Sequence, residues 1–87
     1  MKVLLISRDG CLPCKKAKAV LKSLNYDVEV VDVTNNTNEE NLELVAKYNL
    51  PHTMDASNLV RVEKPQIFIE GNYVGGFNDL QRMFPPR

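Results

Sequence analysis

Two cysteines three positions apart, in Cys11-Leu12-Pro13-Cys14, stand where an aliphatic run gives way to helical periodicity. Val3 to Ile6 is unbroken aliphatic, the pattern of a strand buried on both faces, and Ser7 to Gly10 breaks it. From Pro13 onward Ala17, Val20, Leu21 and Leu24 recur at helical spacing while lysines occupy the other faces, and Asn25 closes the segment. Pro13 suits a first helical turn, where its missing N–H costs nothing. The cysteine pair therefore opens a helix that follows a buried strand.

Val28 and Val30, with Val31 and Val33 beyond them, form a β-branched strand interrupted by Glu29 and Asp32. A second helix is expected with Asn38 as its cap, Leu42, Val45 and Ala46 as its apolar stripe, and Asn49-Leu50-Pro51 as its stop. Residues 52–62 read as a long loop with at most a short extra turn. After Pro65, Gln66-Ile67-Phe68-Ile69 reads as a strand, and Gly71-Asn72 as a hairpin turn into Tyr73-Val74. Gly75-Gly76 leads into a last short helix carrying Leu80, Met83 and Phe84 and ended by Pro85-Pro86. The order is β-α-β-α-β-β-α. A helix between the first two strands implies a parallel pair with a right-handed crossover, and the tight turn implies an antiparallel hairpin beside it. The expected fold class is α/β, with a four-stranded mixed sheet flanked by helices.

A chain of 87 residues is expected to form one domain over its whole length, 1–87. Its 44% hydrophobic and 25% charged residues are those of a soluble globular protein. Eleven basic residues balance 11 acidic ones, so no overall field attracts nucleic acid or an anionic membrane. The charge is unevenly spread. Up to Leu24, Lys2, Arg8, Lys15, Lys16, Lys18 and Lys22 face only Asp9, so the cysteines lie in the positive part of the chain. No stretch approaches the roughly 20 apolar residues that span a bilayer. The Val3–Ile6 run is too short for the core of an export signal. The expected compartment is the reducing cytoplasm, where paired cysteines are catalytic or metal-binding more often than structural.

Cysteines at i and i+3 on a helix start are close enough to close a small disulfide ring. Cys11 would sit among orphan N–H groups at the positive end of the helix dipole, which favours a thiolate. Arg8 and Lys15 would add to that field. Cys14, one turn inside, would act second: Cys11 attacks a disulfide and Cys14 resolves the mixed disulfide. The alternative is half of a zinc site. Zinc wants four ligands, and the chain offers no further cysteine and one histidine, His52, so carboxylates or a second subunit would have to complete it.

Three motifs in order resemble the glutaredoxins of the thioredoxin-fold superfamily: Cys11-Leu12-Pro13-Cys14, Lys64-Pro65-Gln66-Ile67-Phe68-Ile69, and Gly75-Gly76-Phe77-Asn78-Asp79-Leu80. The resemblance implies a glutathione-dependent thiol–disulfide oxidoreductase, with Cys11 as nucleophile and Cys14 as resolving thiol. It would act on protein disulfides and glutathione mixed disulfides, with ribonucleotide reductase a plausible family substrate. Glutathione would be a co-substrate, no cofactor or metal would be tightly bound, and the chain would be a monomer. Pro65 would follow a cis peptide bond, leaving the backbone of Lys64 to pair with glutathione as a miniature strand addition. Gly76, Phe77, Asn78 and Asp79 would hold the γ-glutamyl end, with Asp79 pairing its ammonium, and Arg8 would reach toward the glycine carboxylate. The plainer alternatives are a strand-start proline at Pro65 and helix capping by Asn78 and Asp79.

The chain also departs from the usual pattern. Pro13 in the third motif position and Lys15 after the motif look thioredoxin-like, so recharging by a thioredoxin reductase is the second reading. A carrier of zinc or of a bridged iron–sulfur cluster is the third. Lys64 replaces the usual small aliphatic residue before the proline; it could favour an anionic ligand or simply extend into water, and the second is the plainer reading. The 50–62 segment is longer than in minimal members, as in some phage-encoded glutaredoxins. His52 receives no role. Tyr26, Tyr48 and Phe68 are assigned to packing, Tyr73 to either side of its hairpin, and Lys16, Lys18 and Lys22 to a solvated face that acidic redox partners could use for docking.

Overall fold

The computed structural model describes residues 1–33, 35 and 37–84. Its elements are β1 (Lys2–Arg8), α1 (Leu12–Ser23), β2 (Asp27–Val33), α2 (Asn38–Tyr48), β3 (Thr53–Met54), β4 (Val60–Arg61), β5 (Gln66–Ile69), β6 (Asn72–Gly75) and α3 (Phe77–Met83). The main sheet has the order β2-β1-β5-β6, with β1 parallel to β2 and antiparallel to β5. This is the expected mixed sheet. One feature is added: 52–62 is not a plain loop, because β3 and β4 pair as a two-stranded antiparallel hairpin. Asp55 makes its turn, its carboxylate accepting the N–H groups of Ser57 and Leu59 at 2.9 and 3.1 Å.

The central strand divides two cores. Val3 and Leu5 meet Ala17, Leu21, Ile67 and Leu80 under α1 and α3, whereas Ile6 joins Val33, Leu44, Leu50, Val60 and Val62 under α2 and the hairpin. The alternation follows from the two-residue period of a strand. Strand β1 also continues through Ser7 and Arg8, where a break was expected. Parallel pairing with Asp32 and Val33 satisfies its backbone, and the Ser7 hydroxyl donates to the Asp32 carboxylate.

Helix α2 departs from its sequence reading in two ways. Thr37, not Asn38, is the cap: its hydroxyl accepts the Glu40 N–H while the Glu40 carboxylate accepts the Thr37 N–H. Its inward stripe is Asn41, Leu44, Val45 and Tyr48, whereas Leu42 and Ala46 are exposed. The shift arises because the buried polar Asn41 faces the hairpin, which periodicity of apolar residues does not register. The turn between β5 and β6 is Glu70-Gly71, one residue earlier than read. Ile69 pairs with Asn72, and both turn residues have positive φ (51° and 80°), the type I′ geometry of two-residue hairpins. In α3, Leu80 is fully buried and Phe84 packs edge-on to Tyr26, but Met83 points outward at 52% exposure. The expected stop at Pro85 and Pro86 lies outside the described residues.

Candidate active site

Cys11 is the N-cap of α1, with extended backbone angles. The Cys14 N–H points at the Cys11 sulfur, 3.3 Å away. Helix-end N–H groups directed at sulfur stabilise a thiolate. The two sulfurs are joined in a disulfide, with Cα atoms 5.3 Å apart. Cys14 is 3% exposed while Cys11 reaches the surface, so an incoming sulfur meets Cys11 first.

Pro65 follows a cis peptide bond, and the carbonyl oxygen of Lys64 lies 3.7 Å from the Cys11 sulfur. Lys64 does not simply extend into water. Its ammonium donates to Oδ1 of the buried Asn41 at 2.7 Å, and burial, then the nearby Arg8 charge, hold its pKa below the ordinary lysine range against the opposing pull of Glu40. Asn41 also donates to the Val60 carbonyl at 3.1 Å, so one side chain ties α2 to both the hairpin and the segment before Pro65.

A cavity of about 450 Å³ opens beside the cysteine motif and brings together Pro13, Lys64, Pro65 and the run Gly76, Phe77, Asn78 and Asp79. It is also lined by His52 and by Thr53 and Arg61 of the hairpin. The Asp79 carboxylate folds back to accept the Gly76 N–H at 3.0 Å and pairs with Arg82 at 3.5 Å. Gly75 makes this possible: its φ is +121°, and a Cβ there would collide with the Asp79 carboxylate. Tyr73 lines the cavity with its hydroxyl donating to Gln66, whose amide donates to the Glu63 carbonyl at 2.7 Å. Burial, then the charges of Asp79 and Glu63, raise the Tyr73 phenol above its usual value.

Of the residues singled out in the sequence, Lys64, Pro65, Gly76, Phe77, Asn78 and Asp79 line this cavity, next to the motif of Cys11 and Cys14. Arg8 does not. It lines a separate groove on the other flank, with Gly10, Cys11 and Leu12. Sequence reasoning missed Asn41, Tyr73, Gln66, Arg61 and the position of His52, whose ring Nδ1 is 3.1 Å from the Leu50 carbonyl oxygen. A polar Gln66 inside an aliphatic strand was a signal; Asn41 and Arg61 depend on the β3–β4 hairpin and Tyr73 on its partner Gln66 across β5 and β6. Among the described residues, no group of three or more His, Cys, Asp or Glu side chains is placed to hold a metal ion.

The glutaredoxin family model matches residues 3–74. Glutaredoxin-1 of Rhizophagus irregularis is 36% identical over 78 residues, covering 90% of this chain and 68% of the relative. Glutaredoxin 1 of Rickettsia prowazekii is 33% identical over 78 residues, covering 90% and 72%. Among solved structures, the glutaredoxin of Brucella melitensis superposes with a TM-score of 0.65 at 29% identity, covering 95% of this chain and 77% of that one. Reduced Escherichia coli glutaredoxin, at 23% identity, shares the fold with a TM-score of 0.65, covering 95% and 92%. With the motif disulfide at the start of α1 and the mixed sheet behind it, the chain belongs to the glutaredoxin family of thioredoxin-fold oxidoreductases.

Proposed function

We propose that this protein is a glutathione-dependent dithiol oxidoreductase that reduces protein disulfides and glutathione mixed disulfides in a reducing cytoplasm. The observation that carries the reading is the cavity joining Pro65 to Gly76, Phe77, Asn78 and Asp79 beside the Cys11 motif. In that cavity a tripeptide would lie antiparallel to the backbone of Lys64, its ammonium toward Asp79 and its sulfur toward Cys11. The Cys11 thiolate attacks the substrate sulfur, a new disulfide forms, and the departing sulfur leaves as a thiolate. Either glutathione or Cys14 then releases Cys11. The first route needs one cysteine and suits glutathione mixed disulfides; the second returns the Cys11–Cys14 disulfide and suits protein disulfides. Glutathione is a co-substrate in this cycle, which requires no resident metal or cofactor. Protein partners such as ribonucleotide reductase belong to the same proposal.

Turnover of a glutathione mixed disulfide should be supported by glutathione with glutathione reductase. Negligible turnover there, with brisk turnover from thioredoxin reductase, would overturn the choice of donor in favour of the reading suggested by Pro13 and Lys15. Cys14→Ser should retain deglutathionylation and lose most reduction of protein disulfides. Equal loss of both activities would refute the division of roles between the cysteines.

A further inference from the structure

The segment that faces the Cys11 sulfur, Glu63-Lys64-Pro65, lies between β4 and β5 and belongs to neither strand. Side chains hold it from two directions. From α2, Asn41 accepts the Lys64 ammonium at 2.7 Å. From β5, the buried Gln66 donates its amide N–H to the Glu63 carbonyl at 2.7 Å. Gln66 is fixed in turn by Tyr73 of β6, whose hydroxyl donates to the Gln66 side-chain oxygen. One polar chain thus runs from β6 across β5 to the main chain two residues before Pro65. The next carbonyl along, that of Lys64, lies 3.7 Å from the Cys11 sulfur.

The Tyr73 ring has an anchor of its own. It stands opposite Phe68 in the β5–β6 register, and the two rings meet edge-on with centroids 5.3 Å apart. That contact accounts for the ring and leaves the hydroxyl unexplained, because a phenylalanine would pack there equally well. Tyr73 is 46% exposed on the cavity wall, where water would satisfy a phenol, yet its O–H is aimed at an amide only 5% exposed. Burial, then the charges of Asp79 and Glu63, keep the phenol protonated, so it remains a donor at neutral pH.

We propose that Tyr73 is a positioning residue for the disulfide exchange: acting through Gln66, its hydroxyl fixes the main chain of Glu63 and Lys64, against which a peptidic disulfide lies when Cys11 attacks it. The proposal rests on the reading of the cavity as a glutathione site and adds a specificity for substrates that carry a peptide backbone. A small disulfide with no backbone to pair with Lys64 gains little from this hold. In the step it serves, the Cys11 thiolate forms a disulfide with the substrate sulfur. The other sulfur leaves as a thiolate with the bonding electron pair, so no further oxidant or reductant enters.

The test uses reduced Cys14→Ser protein and two mixed disulfides of thionitrobenzoate, one with glutathione and one with mercaptoethanol. The leaving group is the same, so the ratio of the two rates of thionitrobenzoate release reads recognition of the peptide and not the acidity of Cys11. Adding Tyr73→Phe should lower that ratio about fivefold, the worth of one ordinary hydrogen bond. Gln66→Met keeps a buried side chain of similar volume without the amide, and should lower the ratio at least as much. The two substitutions together should lower it no further than Gln66→Met alone, because the residues act as one chain. A ratio unchanged by Tyr73→Phe, equal slowing with both disulfides, or losses that multiply when the substitutions are combined would overturn the proposal. If Cys14→Ser protein with Tyr73 intact showed no preference for the glutathione disulfide, the glutathione site itself would be overturned.

Discussion

Asp79 holds two positions at once, and substitutions there separate them. Its carboxylate accepts the Gly76 N–H at 3.0 Å, pairs with Arg82 at 3.5 Å, and lines the cavity assigned to glutathione. The capping bond contributes about 1 kcal/mol. The Arg82 pair, with side chains 46% and 81% exposed, contributes at most about 0.5 kcal/mol. A negative charge in the first turn of α3 adds about 0.3–1 kcal/mol. Asp79→Asn keeps an acceptor for the Gly76 N–H and should therefore cost about 0.5–1 kcal/mol. Asp79→Ala loses the cap as well and should cost about 1.5–2.5 kcal/mol. In a domain of this size, 1 kcal/mol corresponds to about 4–8 °C in Tm, so the two variants should melt several degrees apart.

Binding should not follow that order. Pairing an ammonium with Asp79 is a charge-assisted hydrogen bond, worth about 1.5 kcal/mol at a half-exposed site, or roughly tenfold in affinity. Both variants should raise KM for a glutathione mixed disulfide about tenfold by that reckoning, with kcat little changed. Thermal melting and steady-state turnover of the three proteins check this. If Asp79→Asn bound substrate like the parent while Asp79→Ala did not, Asp79 would be a helix cap alone and the ammonium contact would be refuted.

Leu80 is fully buried under α1, and Leu80→Ala should destabilise the fold by about 2–5 kcal/mol in denaturant titration. Asn41→Leu removes the partner of the Val60 carbonyl and of the Lys64 ammonium; it should cost about 1–3 kcal/mol and raise amide exchange across Val60 and Lys64 together. The Leu59 N–H, against the opposing effect of burial and helped by the Ser57 N–H and the Arg61 side chain, holds the Asp55 carboxyl below its usual range. A carboxylate lowered in the folded state stabilises it above the unfolded value of about 3.9 and loses that contribution as pH falls through the lower folded value. The amides of Ser57 and Leu59 should therefore lose exchange protection below about pH 4, earlier than those of β5; uniform loss across the chain would refute the local role of Asp55.

The local signals of this chain were strong where structure follows from near neighbours in sequence. The aliphatic Val3–Ile6 run, the helical spacing of Ala17 and Leu21, and the β5 residues each lie where periodicity put them. So do the cysteines, because the N-cap of a helix that follows a buried strand is a local property. Errors arose where a polar residue faced inward. Asn41 is buried because Val60 and Lys64 offer it partners from elsewhere in the chain, and no stripe of apolar residues reveals that. The same cause hid the hairpin, whose strands contain only two residues each and are held by Asn38, Asn41 and Asp55.

The Cys11-Leu12-Pro13-Cys14 spacing and the helix behind it determined by themselves that two sulfurs would meet at a helix N-terminus, since four consecutive residues and one turn suffice. Which surfaces adjoin the Cys11 sulfur was decided by tertiary structure alone. Chain crossings of 53 and more residues bring Lys64, Pro65 and Asp79 to one flank, and leave Arg8 on the other with Leu59. Local pattern carries no information about such distant pairings; they follow from how the two cores close on opposite faces of β1.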